Sequence, residues 1–209
     1  MNHRLAICIP CRDTMHSACA FSLYNLSKFL TESNIEHKLF LSPGTLIANQ
    51  RHELVKSAQE WNATHVMFID SDIEFEPQHV INLIEFDEDI VAAAYSKRVE
   101  PIITTAWHSI DDWNSHVCIE EQTTSHIKVA AVALGFCLIK MSVFDQIKLP
   151  WFQLGFYKNQ YTGEDIEFFR KCGEIGLDIW LDIQTTCEIG HLGTKKFKVV
   201  DDIVITLAT

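Results

Sequence analysis

The 209-residue chain is 47% hydrophobic and 22% charged, proportions of one globular domain with a sizeable core, and no stretch is disordered by composition. Seventeen basic against 28 acidic residues leave a net charge of −11, the reverse of a domain built to grip a nucleic-acid backbone, so stable duplex binding is not expected. The longest apolar run, Val129 to Ile139, ends at Lys140, well short of the roughly 20 residues of a membrane span. Residues 5–9 are too short for a signal peptide, and seven scattered cysteines suit a reducing compartment. The expectation is a soluble, cytoplasmic protein.

In chain order, Leu5–Ile9 reads as a first strand closed by Pro10. A helix follows with Cys19, Leu23, Leu26 and Leu30 on one face and its end near Asn34. His37–Leu41 is a second strand and Ser42-Pro43-Gly44 a turn. A second helix carries Ile47, Leu54, Ala58 and Trp61, and Val66–Ile69 is an uninterrupted apolar strand. Pro77 suits the first position of a third helix ending near Phe86, and Ile90–Tyr95 is a fourth strand. Three βα units in succession predict a single Rossmann-like domain over residues 1–209, with a mostly parallel sheet flanked by helices. Beyond about residue 97 the rhythm breaks. Short strands are expected at Ile102–Thr105 and His116–Ile119, a longer one over Val129–Lys140, and an aromatic-rich loop over Trp151–Tyr161. A helix opens at Thr162-Gly163-Glu164-Asp165 and ends at Gly176, strands follow at Leu177–Ile183 and Thr186–Ile189, and a smaller antiparallel element is expected in the C-terminal half.

The informative stretch is Phe68-Ile69-Asp70-Ser71-Asp72, where an apolar strand runs into acids. Ligands of open α/β sheets bind outside the carboxyl ends of the strands. In extended chain Asp70 and Asp72 would point the same way. Such a pair repels unless a cation sits between them, and a hard divalent ion completes its shell with water and substrate phosphates.

With these pieces placed, the chain resembles the GT-A glycosyltransferases, in particular the small family-2-like enzymes of phages and large DNA viruses. The resemblance rests on Ile7-Cys8-Ile9-Pro10, Asn49-Gln50-Arg51, Phe68-Ile69-Asp70-Ser71-Asp72, Leu134-Gly135-Phe136-Cys137, Gly163-Glu164-Asp165-Ile166-Glu167-Phe168 and Gly190-His191-Leu192-Gly193. It implies a nucleotide-sugar half over about residues 1–97 and an acceptor half over about 98–209. Pro10, Cys11, Arg12 and Asp13 would hold the base and ribose of the donor. Asp70 and Asp72 would hold the ribose and a Mn²⁺ (or Mg²⁺) on the donor diphosphate, with Ser71 between them and His191 completing the metal shell. Asn49 and Gly135 fall on motif positions beside the donor. Glu164 and Asp165 would lie at the acceptor, Asp165 as general base in an inverting enzyme. Arg51, Lys195 and Lys196 could offset the remaining diphosphate charge.

The implied activity is transfer of a sugar from a nucleoside-diphosphate sugar, UDP-sugar favoured, to a hydroxyl of a glycan or other acceptor, in the host cytoplasm if the chain is viral. The chain is a whole protein or the catalytic part of a longer, multi-domain one. Two readings compete. A haloacid-dehalogenase-like phosphatase would use Asp70 as nucleophile and Asp72 as acid/base, but such enzymes carry the motif on the first strand. A non-catalytic nucleotide-sugar-binding module would have no use for Asp165 and His191. Thr162 to Asp165 also matches a helix-capping pattern.

Overall fold

In a computed structural model of the protein, residues 3–112 and 114–193 are described. The elements in order are β1 (Arg4–Cys11), α1 (Ser17–Glu32), β2 (Glu36–Pro43), α2 (Ile47–Glu60), β3 (His65–Ile69), β4 (Ile73–Glu74), α3 (Pro77–Phe86), β5 (Ile90–Ala92), β6 (Ala106–Trp107), β7 (His126–Val129), β8 (Ala131–Val132), β9 (Phe136–Lys140), α4 (Met141–Gln146), β10 (Gly155–Tyr157), β11 (Gln160–Thr162), α5 (Glu164–Glu174), β12 (Ile179–Asp182), α6 (Ile183–Glu188) and β13 (Gly190–His191).

Seven strands form one sheet in the order β2-β1-β3-β9-β5-β12-β7. The pairs β1–β2, β1–β3 and β5–β12 are parallel, whereas β9 runs against both β3 and β5, and β7 against β12. The predicted α/β domain with a mostly parallel sheet is what forms, and the short strand pairs β10–β11, β4–β13 and β6–β8 supply the antiparallel elements. Apolar side chains pack on both faces of the sheet. Met67 and Ile69 join Leu23, Leu26, Val80 and Leu83 on one side, while Phe68, between them, joins Leu54, Phe144, Phe152 and Phe168 on the other. Helices cover both faces, so every residue of β3 is buried, which is why its sequence does not alternate.

Several boundaries differ from expectation for identifiable reasons. Pro10 does not close β1, which pairs with β2 through Pro10 and Cys11. Its pairing with β3 ends at Cys8, so on that side the missing N–H costs no ladder bond. Val129–Lys140 is three short strands rather than one, and Ile102–Thr105 and His116–Ile119 contribute single bridges, Ser96 to Thr104 and Trp107 to His116. The aromatic loop contains the β10–β11 hairpin, turned by Lys158 and Asn159, both at positive φ. That hairpin chemistry usually announces itself by glycine. Instead of the strand expected over Thr186–Ile189, Thr186 to Glu188 lie in α6 and Ile189 is its extended C-cap. Asp182 caps that helix by accepting from the Thr185 N–H at 2.6 Å, and the cap overrides the β-propensity of the threonines and isoleucines.

Candidate active site

The parallel strands β1, β3 and β5 end at one edge of the sheet, and β9, running the other way, begins there. Gly135, just before β9, is therefore set against Asp70, just after β3: its carbonyl accepts from the Asp70 N–H at 2.8 Å. A side chain at Gly135 would collide with Asp70 Oδ2 and Tyr95 Oη, so glycine is required here by close approach.

The chain does not stay extended after Asp70. A turn, closed by Ile73 N–H on the Asp70 carbonyl at 3.2 Å, sends the two carboxylates in different directions. Asp70 points inward, where Arg51 Nη2 donates to Oδ1 at 3.1 Å and Tyr95 Oη to Oδ2 at 3.1 Å. Arg51 is 2% exposed, and its other terminal nitrogen pairs with Glu164 Oε1 at the start of α5. Burial opposes the guanidinium charge, but Asp70 and Glu164, with Asp165 and Tyr95 behind them, outweigh it and raise the Arg51 pKa. Burial and then the Asp70 carboxylate push the Tyr95 phenol well up, so it remains a donor. Asp70 thus has a protein partner on each oxygen, and Arg51 lies under the cleft, paired with two protein carboxylates.

Asp72 points outward. The strand β4 follows it directly and pairs with β13, setting His191 opposite Ile73, while Leu192 N–H donates to the Asp72 carbonyl at 2.7 Å. His191 Nε2 thereby comes within 3.7 Å of Asp72 Oδ2. Its Nδ1 is 2.8 Å from the Ser96 carbonyl, which can only accept and so fixes a proton on Nδ1, while Nε2 on the other side of the ring faces Asp72. Arg98 pairs with the same Asp72 oxygen. Burial raises the Asp72 pKa, but the hydrogen bond and charge of His191, and those of Arg98, overcome it and hold the carboxyl below its ordinary value.

These donors fit a divalent cation. Two ligand atoms 3.7 Å apart can share an ion at about 2.1 Å from each, and a histidine whose second ring nitrogen is held by a carbonyl is the usual oriented ligand. Among the described residues there is no group of three or more His, Cys, Asp or Glu that could hold a metal, so water and substrate oxygens would supply the rest of the shell, as hard ions permit.

Gly163 caps α5, whose first turn holds Glu164, Asp165 and Glu167. The Thr162–Asp165 capping box does not form. Thr162 Oγ1 donates to Glu167 Oε1 at 2.8 Å, and Asp165 Oδ1 accepts from the next N–H, Ile166, at 2.8 Å. Glu164 is buried against Arg51, whereas Asp165 is half-buried. Burial lifts the Asp165 pKa by more than Arg51 and the Ile166 N–H lower it, with Asp70 adding to the rise. Of the aromatic residues before α5, Trp151 and Phe152 are core, while Phe156 and Tyr161 on the hairpin are 63% and 83% exposed.

The β1–α1 loop adjoins the motif: His16 N–H donates to the Ser71 carbonyl at 2.9 Å. Pro10 is buried, Cys11 half-buried, and Arg12 and Asp13 form an exposed pair at 3.6 Å. Asn49 is exposed in the first turn of α2, and no hydrogen bond joins its side chain to the Asp70–Asp72 cluster. Gln50 is the tether instead, donating to the Cys11 carbonyl at 3.2 Å. Lys195 and Lys196 lie outside the described residues. Sequence reasoning missed Tyr95, Ser96 and Arg98; their position just past the end of a parallel strand was the available signal.

No protein-family model matches the sequence, and no curated protein is found as a relative. Solved structures do match. The protein A197 from STIV aligns with a TM-score of 0.60 at 19% identity, over 96% of each chain. A mutant Drosophila β1,4-galactosyltransferase 7, in complex with manganese, UDP-Gal and xylobiose, aligns with a TM-score of 0.57 at 14% identity, over 97% of this chain and 77% of that one. The chain thus shares the fold of a glycosyltransferase, the GT-A-like fold that its ordered motifs imply.

Proposed function

We propose that the protein is a metal-dependent glycosyltransferase that moves a sugar from a nucleoside-diphosphate sugar, UDP-sugar favoured, to a hydroxyl of a glycan or other acceptor. The observation that carries this reading is the pairing of Asp72 Oδ2 with His191 Nε2 at 3.7 Å, with the histidine oriented by Ser96, at the strand edge where α/β folds bind ligands. The galactosyltransferase of similar fold holds manganese, a UDP-sugar and a saccharide, which agrees with that chemistry.

A Mn²⁺ or Mg²⁺ held by Asp72 and His191 supplies, when bound, Lewis-acid stabilisation of the negative charge that builds on a departing diphosphate. The chain's own residues do the rest. The β1–α1 loop, fixed to Ser71 and Gln50, borders the cleft where the nucleoside would rest. Arg51 ties the end of β3 to the start of α5, so the donor and acceptor sides keep a fixed separation. Asp165 stands at the opening of α5 with a raised pKa, placed to accept the proton of an attacking hydroxyl at neutral pH. The exposed Phe156 and Tyr161 offer apolar faces on the acceptor side.

Incubating the protein with UDP- and GDP-sugars, Mn²⁺ and oligosaccharide acceptors, and measuring nucleoside diphosphate release, tests the reading. Acceptor-stimulated release that is lost in Asp165→Ala, with donor binding retained, supports it. Release of inorganic phosphate from simple phosphomonoesters, without sugar transfer, contradicts it and favours the phosphatase.

A further inference from the structure

The Asp72 carboxylate already carries a cation. Arg98 reaches it from the segment between β5 and β6, its Nη2 on Oδ2, the same oxygen that faces His191 Nε2. The two side chains are 40% and 34% exposed, so the pair sits at the mouth of the cleft. Ion pairs at such exposure contribute at most about 1 kcal/mol, weak enough to exchange partners. The backbone around Arg98 is held: Ser96 is buried with its carbonyl on His191, and Lys97 N–H donates to the Ile103 carbonyl at 2.7 Å. The side chain is the part able to turn. Among the described residues, the neighbouring Arg51 is committed to Asp70 and Glu164, and Lys97 to His116 and the face of Trp107.

A guanidinium is always charged and cannot ligate a metal, so it and a divalent ion exclude each other at Oδ2. Once displaced, its planar fork is free to match phosphate oxygens. We propose that Arg98 is the counter-ion of Asp72 in the metal-free protein, and that it transfers to the donor diphosphate when the metal binds, making metal and diphosphate bind with positive coupling. This rests on the reading of Asp72 and His191 as the metal site. Metal alone must break the Arg98–Asp72 pair with no compensation, whereas metal arriving with a diphosphate gives Arg98 a new partner. By linkage, each ligand then strengthens the other by the same factor.

The test is Mn²⁺ binding, followed by electron paramagnetic resonance and calorimetry, to wild type, Arg98→Ala, Arg98→Lys and Asp72→Ala, each without nucleotide and with UDP or GDP. Thermal unfolding verifies that each variant is folded. Arg98→Ala is expected to bind Mn²⁺ alone up to about fivefold more tightly than wild type, and to gain correspondingly less from the nucleotide. Arg98→Lys, which keeps the charge but not the fork, should fall between. Unchanged Mn²⁺ affinity and unchanged coupling in Arg98→Ala overturn the role of Arg98 while leaving the metal site standing. Absence of Mn²⁺ binding in wild type, or equal binding in Asp72→Ala, overturns the site itself and the role of Arg98 with it.

Discussion

Arg51 and Glu164 are 113 positions apart and meet in a buried ion pair beneath the cleft. The pair, extended to Asp70 at 3.1 Å, joins the second helix, the third strand and the fifth helix at one point. Two carboxylates buried around one guanidinium are stable only while the guanidinium is present. Arg51→Met should therefore cost about 3–5 kcal/mol by urea denaturation. Adding Glu164→Gln should restore part of the loss, because one uncompensated charge is then gone. Strictly additive losses would show that the two residues are not coupled.

Asp165 should cost stability where it serves activity. Its folded pKa is raised above the ordinary 3.8, burial being the main cause. The stability contribution of such a group is complete below the ordinary value and is lost as pH rises through the folded value. Asp165→Asn, which keeps an acceptor for the Ile166 N–H, should raise the Tm at pH 7 by about 2–4 °C, with the gain vanishing below pH 3.8. Turnover should fall by about 10²–10⁴-fold. A Tm gain that persists at pH 3 would contradict the electrostatic cause.

His65, at the start of the central strand and 9% exposed, gives the fold an acid-sensitive point. Burial, then the charges of His3 and Lys140, lower its pKa from 6.5 to about 4. Its contribution is present above pH 6.5 and is lost as pH falls towards 4, where the unfolded chain takes up a proton that the folded chain does not. Up to about 3 kcal/mol can be lost this way. In urea melts at pH 7.5 and 4.5, His65→Phe should lose less stability between the two than wild type; parallel losses would sink the assignment.

Two glycines should respond in opposite directions. Gly135→Ala places a methyl against Asp70 Oδ2 and Tyr95 Oη and should destabilise by about 1–3 kcal/mol through overpacking, with weaker donor binding. Gly173, in α5, has nothing within 4 Å of where a Cβ would lie, so Gly173→Ala should stabilise by about 0.5–1 kcal/mol. Equal effects, measured by chemical denaturation, would refute the close approach at Gly135.

Much of the fold was legible because it is written locally. Val66–Ile69 is apolar throughout because helices cover both faces, and α1 to α3 show their inner stripes directly. What was not legible depends on distant partners. The turn after Asp70 is accompanied by β4 pairing with β13 far along the chain, which gives the two carboxylates different partners. Arg51 could not be distinguished from a surface residue until Glu164 was placed beside it. The helical state of Thr186 follows from the Asp182 cap and not from its own propensity. The candidate ligands Asp72 and His191 were visible as motif residues, but Ser96, which orients the histidine through its carbonyl, leaves no trace in side-chain chemistry.

The central claim is that Asp72 and His191 bind a donor diphosphate through a divalent cation. Calorimetric titration with UDP-sugar in the presence of Mn²⁺ tests it most directly, on wild type, Asp72→Ala and His191→Ala, with and without EDTA. Binding that EDTA abolishes and that weakens by about tenfold or more in each variant is the expected result, the usual scale for loss of one metal ligand or its orienting partner. Binding indifferent to both chelator and substitutions would contradict the account.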